Sequence, residues 1–102
     1  MSTPDQRTYV GRLESGRPAV YAVEAAAVEP LEPSTGTFAW GARAGDAGVE
    51  LARALLTDAS GSEPRDDVCR RFADQILRRI PGDGFVLRRE TVNAWLRRFV
   101  AV

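Results

Sequence analysis

Apolar residues recur along the second half of this chain at the spacing of α-helices, and the pattern predicts three of them. The longest, about residues 63–80, carries apolar pairs that return every four residues on one face. A helix of about 47–57 precedes it, and one of about 89–100 follows. The apolar positions of the three faces are Leu51, Ala52, Leu55 and Leu56; Val68, Cys69, Phe72, Ala73, Ile76, Leu77 and Ile80; and Val92, Trp95, Leu96, Phe99 and Val100.

The first part of the chain has the β-branched and aromatic residues that favour strands. Residues 8–13 and 19–25 flank the turn sequence Glu-Ser-Gly-Arg, and together they predict a β-hairpin. The alanine run at 25–27 leaves two alternatives open, because the second strand ends there or a helix begins there.

Proline and glycine divide the middle of the chain. Two prolines in residues 29–37 predict a linker without regular structure. Residues 38–40, Phe-Ala-Trp, then predict a short third strand, and residues 85–87 predict one more brief extended segment.

The order of these elements predicts an α+β fold. We expect a small antiparallel sheet, made of the N-terminal hairpin plus a short strand, packed by three helices. The 102 residues suit a single hydrophobic core. We expect residues 1–6 to form a flexible N-terminus and residues 7–102 to form one α+β domain.

The charge balance offers no general attraction to polyanions. All 14 basic residues are Arg and they equal the 14 acidic ones, so nothing draws the whole chain to nucleic acid or a membrane. The absence of Lys has two possible explanations. Either the base composition of the genome favours Arg codons, or Arg was selected for contacts that only a guanidinium group can make. The start of the chain resembles no secretion signal, so we expect a cytoplasmic protein, a monomer or a homodimer.

Candidate catalytic residues are scarce. The chain has no His, which excludes sites that require imidazole. Cys69 lies on the apolar face of the longest helix, so we expect a buried thiol rather than a nucleophile. Asp66 and Asp67 each precede an Arg by four residues, which is typical of a solvated helix face with ion pairs. We therefore expect no enzyme, no cofactor and no metal.

A glycine-rich segment, residues 38–48, precedes the first helix. Trp and Arg dominate the binding energy of many protein interfaces. We therefore predict a protein-binding site for an unidentified partner protein, comprising Trp40, Gly41, Arg43, Gly45 and Gly48. The alternative, that the glycines only permit a tight corner into the helix, stays open, as does binding of an anion there.

Arginine doublets suggest nucleic acid as an alternative partner. Arg70, Arg71, Arg78 and Arg79 lie on the longest predicted helix, and we expect Arg71 and Arg78, seven residues apart, on one side of it. Acidic residues four positions earlier neutralise several of them. No aromatic platform interleaves with these arginines in the sequence, which disfavours binding of a single strand.

One segment resembles a known family. Phe38, Trp40 and Gly41, followed by the sequence Leu-Ala-x-Ala-Leu-Leu from Leu51, resemble a motif of small uncharacterised proteins from bacteria, archaea and phages, catalogued as a domain of unknown function. The family motif has an aromatic residue where this chain has Ala42. The resemblance covers about residues 8–100. It implies a compact α+β fold and a regulatory or accessory role, and it assigns no catalytic residues.

Overall fold

A computed structural model describes residues 6–34 and 36–100, and for Val100 it describes the backbone only. Most of the expected flexible N-terminus, residues 1–5, lies outside the described part. The elements are strands β1 (Thr8–Glu14), β2 (Arg17–Glu24), β3 (Ala27–Leu31) and β4 (Gly84–Arg88), and helices α1 (Gly45–Ser60), α2 (Asp66–Gln75) and α3 (Arg89–Val100), with a 3₁₀ turn at Leu77–Arg79.

The strands form one antiparallel sheet in the order β3-β2-β1-β4, and the predicted α+β class is confirmed. The predicted hairpin joins β1 to β2 with Glu14 opposite Arg17. Ser15 and Gly16 both have positive φ, 53° and 78°. Two positive φ values are the signature of the type I′ turn, whose twist matches that of the flanking strands.

The linker predicted from residue 29 is wrong for its first residues, because β3 extends to Leu31. β3 follows a two-residue turn and pairs with β2 at the edge of the sheet. Pro30 lies opposite Tyr21 in this pairing. An edge strand tolerates a proline, because an edge strand has a hydrogen-bonded neighbour on one side only and a residue whose N–H would face solvent can be proline. The helix considered at residues 25–27 does not form.

The third strand expected at residues 38–40 is also absent from the sheet. This segment forms a backbone hydrogen bond with a helix and not with a strand, since Ala39 N–H donates to the Ala47 carbonyl of α1 at 3.3 Å. The side chains of Phe38 and Trp40 are nevertheless buried. The sheet instead takes β4 as its further strand, which corresponds to the extended segment predicted at 85–87.

The longest predicted helix is interrupted. α2 ends at Gln75, and Ile76 leaves helical geometry with φ −112° and ψ −61° before the 3₁₀ turn. The residue that would donate to the Leu77 carbonyl in a continuing α-helix is Pro81, which has no N–H. Ile80 N–H donates to that carbonyl at 3.2 Å instead, with the tighter spacing of a 3₁₀ turn.

One cluster of buried side chains joins the sheet to the helices. Tyr9, Val20 and Phe85 contribute from the strands, while Leu51 and Phe72 contribute from α1 and α2. The apolar stripes predicted for the three helices thus meet at the same core. The opposite face of the sheet carries Val28 and Val86, which are 63% and 68% exposed.

Candidate functional site

The predicted glycine-rich segment forms a corner between the sheet layer and α1. Gly41 N–H donates to the Leu77 carbonyl at 2.8 Å, which ties the corner to the start of the 3₁₀ turn. Ala44 N–H donates to the Gly41 carbonyl at 3.2 Å, closing a turn that leads into α1. The loop and the interrupted end of the second helix therefore hold each other in place.

Glycine is required at two positions of this corner for different reasons. Gly41 has φ +98°, a conformation that other residues rarely adopt. Gly48 lies in the first turns of α1 and is buried, and a Cβ there would lie 2.7 Å from the Cβ of Ala44. These constraints support the alternative that the glycines permit a tight corner into α1. That structural role is compatible with binding of a partner at the same surface.

A groove of about 340 Å³ lies between this corner and α2. We call it the corner groove. Its lining brings together residues that the sequence analysis selected separately, Gly41, Gly45 and Gly48 with Arg70 and Arg78. The complete lining is Gly41, Ala42, Ala44, Gly45, Asp46, Gly48, Val49, Arg70, Ala73, Asp74 and Arg78.

The corner groove has balanced charge. Arg70 Nε lies 2.8 Å from Asp66 Oδ2, and Arg78 Nη1 lies 3.1 Å from Asp74 Oδ1. Both pairs have the i,i+4 spacing expected from the sequence. Asp46, in the first turn of α1, places a further carboxylate beside the helix N-terminus. The groove therefore offers both signs of charge around a floor of small residues.

Two of the predicted binding residues do not line the groove. Trp40 is 8% exposed and packs edge-on against Phe85, with ring centroids 5.0 Å apart. Its indole N–H is buried and has no hydrogen-bond partner among the described residues. Trp40 is therefore a core residue beneath the corner. Arg43 is exposed on the turn between Gly41 and α1.

The arginines of the second helix face two different surfaces. The expected alignment of Arg71 with Arg78 is wrong, because the interruption at Ile76 changes the helical phase. Arg70 and Arg78 line the corner groove. Arg71 lies over the ring of Phe99 on α3, and Arg79 lines a separate depression beside Trp95. The sequence did not reveal this proximity of arginine and aromatic residues, because α3 supplies the rings.

A polar cluster around Arg7 was missed in the sequence. Arg7 Nε and Nη2 donate to the two carboxylate oxygens of Asp58 at 2.6 and 2.9 Å, and Tyr9 Oη donates to Asp58 Oδ2 at 2.6 Å. Glu24 and Glu29 accept further bonds from the same guanidinium. The sequence feature that could have indicated this cluster is Asp58, because its carboxylate interrupts the apolar repeat of α1.

Burial and hydrogen bonding shift the pKa values in this cluster. Burial raises the pKa of Asp58, but the hydrogen bonds from Arg7 and Tyr9 outweigh it, so the pKa of this carboxyl is lowered overall. Burial and the bond to Asp58 raise the pKa of the Tyr9 phenol. The cluster thus holds a fixed ion pair that links β1 to α1.

The Cys69 thiol is buried, as expected, and its burial raises its pKa. Within residues 6–34 and 36–100, no group of three or more Cys, Asp or Glu side chains is arranged to hold a metal ion. The described helices include none with the length and apolar content needed to cross a membrane.

The chain was compared with known proteins. Residues 9–98 match a family model described as "Family of unknown function (DUF6166)". The matched range includes most of β1, the corner groove and most of α3. No curated protein and no solved structure matches the chain.

Proposed function

This chain belongs to the family of unknown function DUF6166, and from that premise we propose that it is a non-catalytic domain that binds a partner protein through the corner groove. The observation that carries the proposal is that two separate parts of the chain meet in one groove. The glycine-rich segment and the arginines of α2 are distant in sequence, yet they line one groove. A regulatory role linked to phages or mobile elements, implied by the motif of residues 38–56, is part of the same proposal.

The chemistry of the groove suits a protein surface. Small residues allow close approach of a partner backbone, while Arg70 and Arg78 present forked donors at its edge. Arg43 is exposed on the adjacent turn. Protein interfaces commonly combine an apolar floor with a polar rim, and arginine is enriched in them.

The nucleic-acid alternative has weaker support at this groove. Arg70 and Arg78 each pair with an aspartate, and the lining carries Asp46 as well. A phosphate backbone entering here would approach three carboxylates, which opposes it electrostatically. Binding of nucleic acid by the doublets stays a prediction without a favouring observation at this position.

Affinity capture from lysate of the encoding organism, after nuclease treatment, tests the proposal. Arg43→Glu and Arg78→Glu change the groove and its edge, while Arg17→Glu makes the same change at an exposed site in the β1–β2 hairpin. We expect a protein that is retained by the unmodified chain and by Arg17→Glu, and depleted with both groove variants. Equal retention by all four, or no specific partner, contradicts the proposal.

A further inference from the structure

A second surface has the composition of an interaction site and is not part of the corner groove. It lies where the end of α2 meets α3, around a shallow depression of about 580 Å³. We define the α2–α3 surface by its three arginines and three apolar side chains: Arg71, Arg79, Arg98, Ile76, Trp95 and Phe99.

The aromatic side chains of this surface are fixed in position. Trp95 and Phe99 stack with centroids 5.2 Å apart and planes 7° from parallel. Trp95 also packs edge-on against Phe72, and its indole N–H donates to Gln75 Oε1 at 2.9 Å. A rigid, partly exposed aromatic pair loses little conformational entropy when a partner covers it.

Within the part of the chain that the structure describes, the positive charges of this surface have no paired carboxylate. Among the described residues, no carboxylate lies within 4.0 Å of Arg71, Arg79 or Arg98. Arg70 and Arg78, their sequence neighbours, are by contrast both paired. Since the chain has zero net charge, this excess of three guanidinium groups is a local feature. It is electrostatically complementary to an anionic partner.

The geometry favours carboxylates over nucleic acid as that anion. Base stacking requires a free ring face, but Phe99 lies between Trp95 on one side and the Arg71 guanidinium, 5.4 Å from its centroid, on the other. Phe99 therefore has no free face, and the other groups that line the surface are Ile76, Trp95 and the guanidinium forks. Guanidinium forks bind carboxylates through two parallel hydrogen bonds, and the apolar atoms suit an aliphatic or aromatic side chain.

We propose that the α2–α3 surface binds an acidic segment of a partner protein, in which carboxylates flank at least one apolar side chain. The carboxylates pair with Arg79 and Arg98, while the apolar side chain covers Ile76 and the edge of Trp95. The depression is lined by few side chains, which suits a short segment, so binding is reversible and weakens as salt screens the charges.

Selection from a displayed library of random peptides, about a dozen residues long, tests the occupant directly. We expect enriched peptides in which Asp and Glu surround an apolar residue, with Trp fluorescence reporting their binding. The double variant Arg79→Glu with Arg98→Glu should weaken binding about tenfold or more. Arg97→Glu, adjacent on the same helix and outside the surface, is the matched control and should leave the affinity unchanged.

Three results would overturn this assignment: no enriched peptides, peptides without an acidic bias, or equal binding by the double variant. An oligo-dT strand that binds this surface more tightly than the selected peptides would assign it to nucleic acid instead. Circular dichroism and thermal unfolding establish that the variants fold. Because the corner groove is unchanged in these variants, this proposal and the proposed function fail independently.

Discussion

Asp58 shows how a single polar residue can organise this fold. It accepts hydrogen bonds from Arg7, which immediately precedes β1, and from Tyr9 in β1, and it lies near the end of α1. A carboxylate so placed costs free energy to desolvate, and the pairing offsets that cost. The interaction fixes where the first strand meets the first helix.

We expect Asp58→Asn to lower the free energy of unfolding at neutral pH by about 2 kcal/mol, because charge-assisted hydrogen bonds are lost. The folded pKa of Asp58 lies below its ordinary value of 3.8. Its contribution is therefore fully present above about pH 4 and is lost as pH falls through the lowered pKa. The difference between the unmodified chain and Asp58→Asn should shrink on acidification.

Chemical denaturation at a series of pH values measures this difference. Asp83→Asn is the matched control, since Asp83 is exposed and has no side-chain partner among the described residues. It should change the free energy of unfolding by less than about 0.5 kcal/mol. A constant difference between the unmodified chain and Asp58→Asn across the acid range would show that the lowered pKa has no role.

Gly11 in β1 leaves room for the ring of Phe85, its partner in β4. A Cβ at this position would lie 2.1 Å from the Phe85 ring, which packs against Trp40 and has little room to move. We expect Gly11→Ala to destabilise the protein by about 1–3 kcal/mol through overpacking. A Cβ at Gly82 would meet nothing within 4 Å, so Gly82→Ala is the control in thermal unfolding. Equal melting temperatures for both variants would contradict this account.

Residue types alone could not separate surface from core at the corner. Trp40 and Arg43 are both frequent in interfaces, and the sequence offers them as equivalent candidates. Trp40 is buried because Phe85 arrives from a strand 45 positions later in the chain, a contact that no local pattern encodes. Cys69 was predictable because its helical repeat places it on the apolar face regardless of the partner.

At the scale of elements, β3 is one of the parts that the local pattern predicted wrongly. Its Pro30 indicates a linker, and only the edge position in the sheet makes a strand acceptable there. The turn before it, Ala25–Ala26, has one positive φ, 53° at Ala25. A single positive φ at the first loop position is typical of a type II′ turn, where glycine is preferred.

We therefore expect Ala25→Gly to stabilise the protein by about 0.5–1 kcal/mol, since it removes the cost of the left-handed conformation of an alanine. Ala26→Gly is the matched control, because Ala26 lacks a positive φ; it should be neutral or slightly destabilising. Denaturant midpoints measure both. A destabilising effect of Ala25→Gly would mean that the β2–β3 turn differs from this description.

The helices illustrate both the success and the limit of periodicity. Positions and apolar faces of α1 and α3 followed from residue spacing alone. The stripe of the second helix is also real, since Val68, Phe72 and Leu77 are all buried. Its interruption at Ile76 was hidden, because the 3₁₀ turn keeps Leu77 pointed at the core. The interruption separates the arginines of this segment onto two surfaces.

At the scale of the whole molecule, one core carries two chemically distinct surfaces. The corner groove is charge-balanced and lined by small residues, whereas the α2–α3 surface is aromatic and positive. The sequence patterns placed three glycines and two arginines of the corner groove in separate sites, and they did not predict the α2–α3 surface, because each surface forms where elements distant in sequence meet. Net charge, being zero, conceals this distribution.

A single cluster of buried residues predicts cooperative unfolding. In a Trp95→Phe variant, Trp40 is the one tryptophan left and its fluorescence reports on the corner, while far-ultraviolet circular dichroism reports on the backbone. We expect coincident denaturation curves from Trp fluorescence and circular dichroism. An earlier fluorescence transition would show that the corner opens separately from the sheet.

Site-specific photo-crosslinking in cells tests the binding role of the corner groove most directly. A photoreactive side chain at Ala42, exposed in the groove lining, is compared with the same side chain at Ala26, exposed outside it. We predict a discrete crosslinked protein from position 42 that is absent from position 26. The same crosslinks from both positions, or none from position 42, would contradict the account.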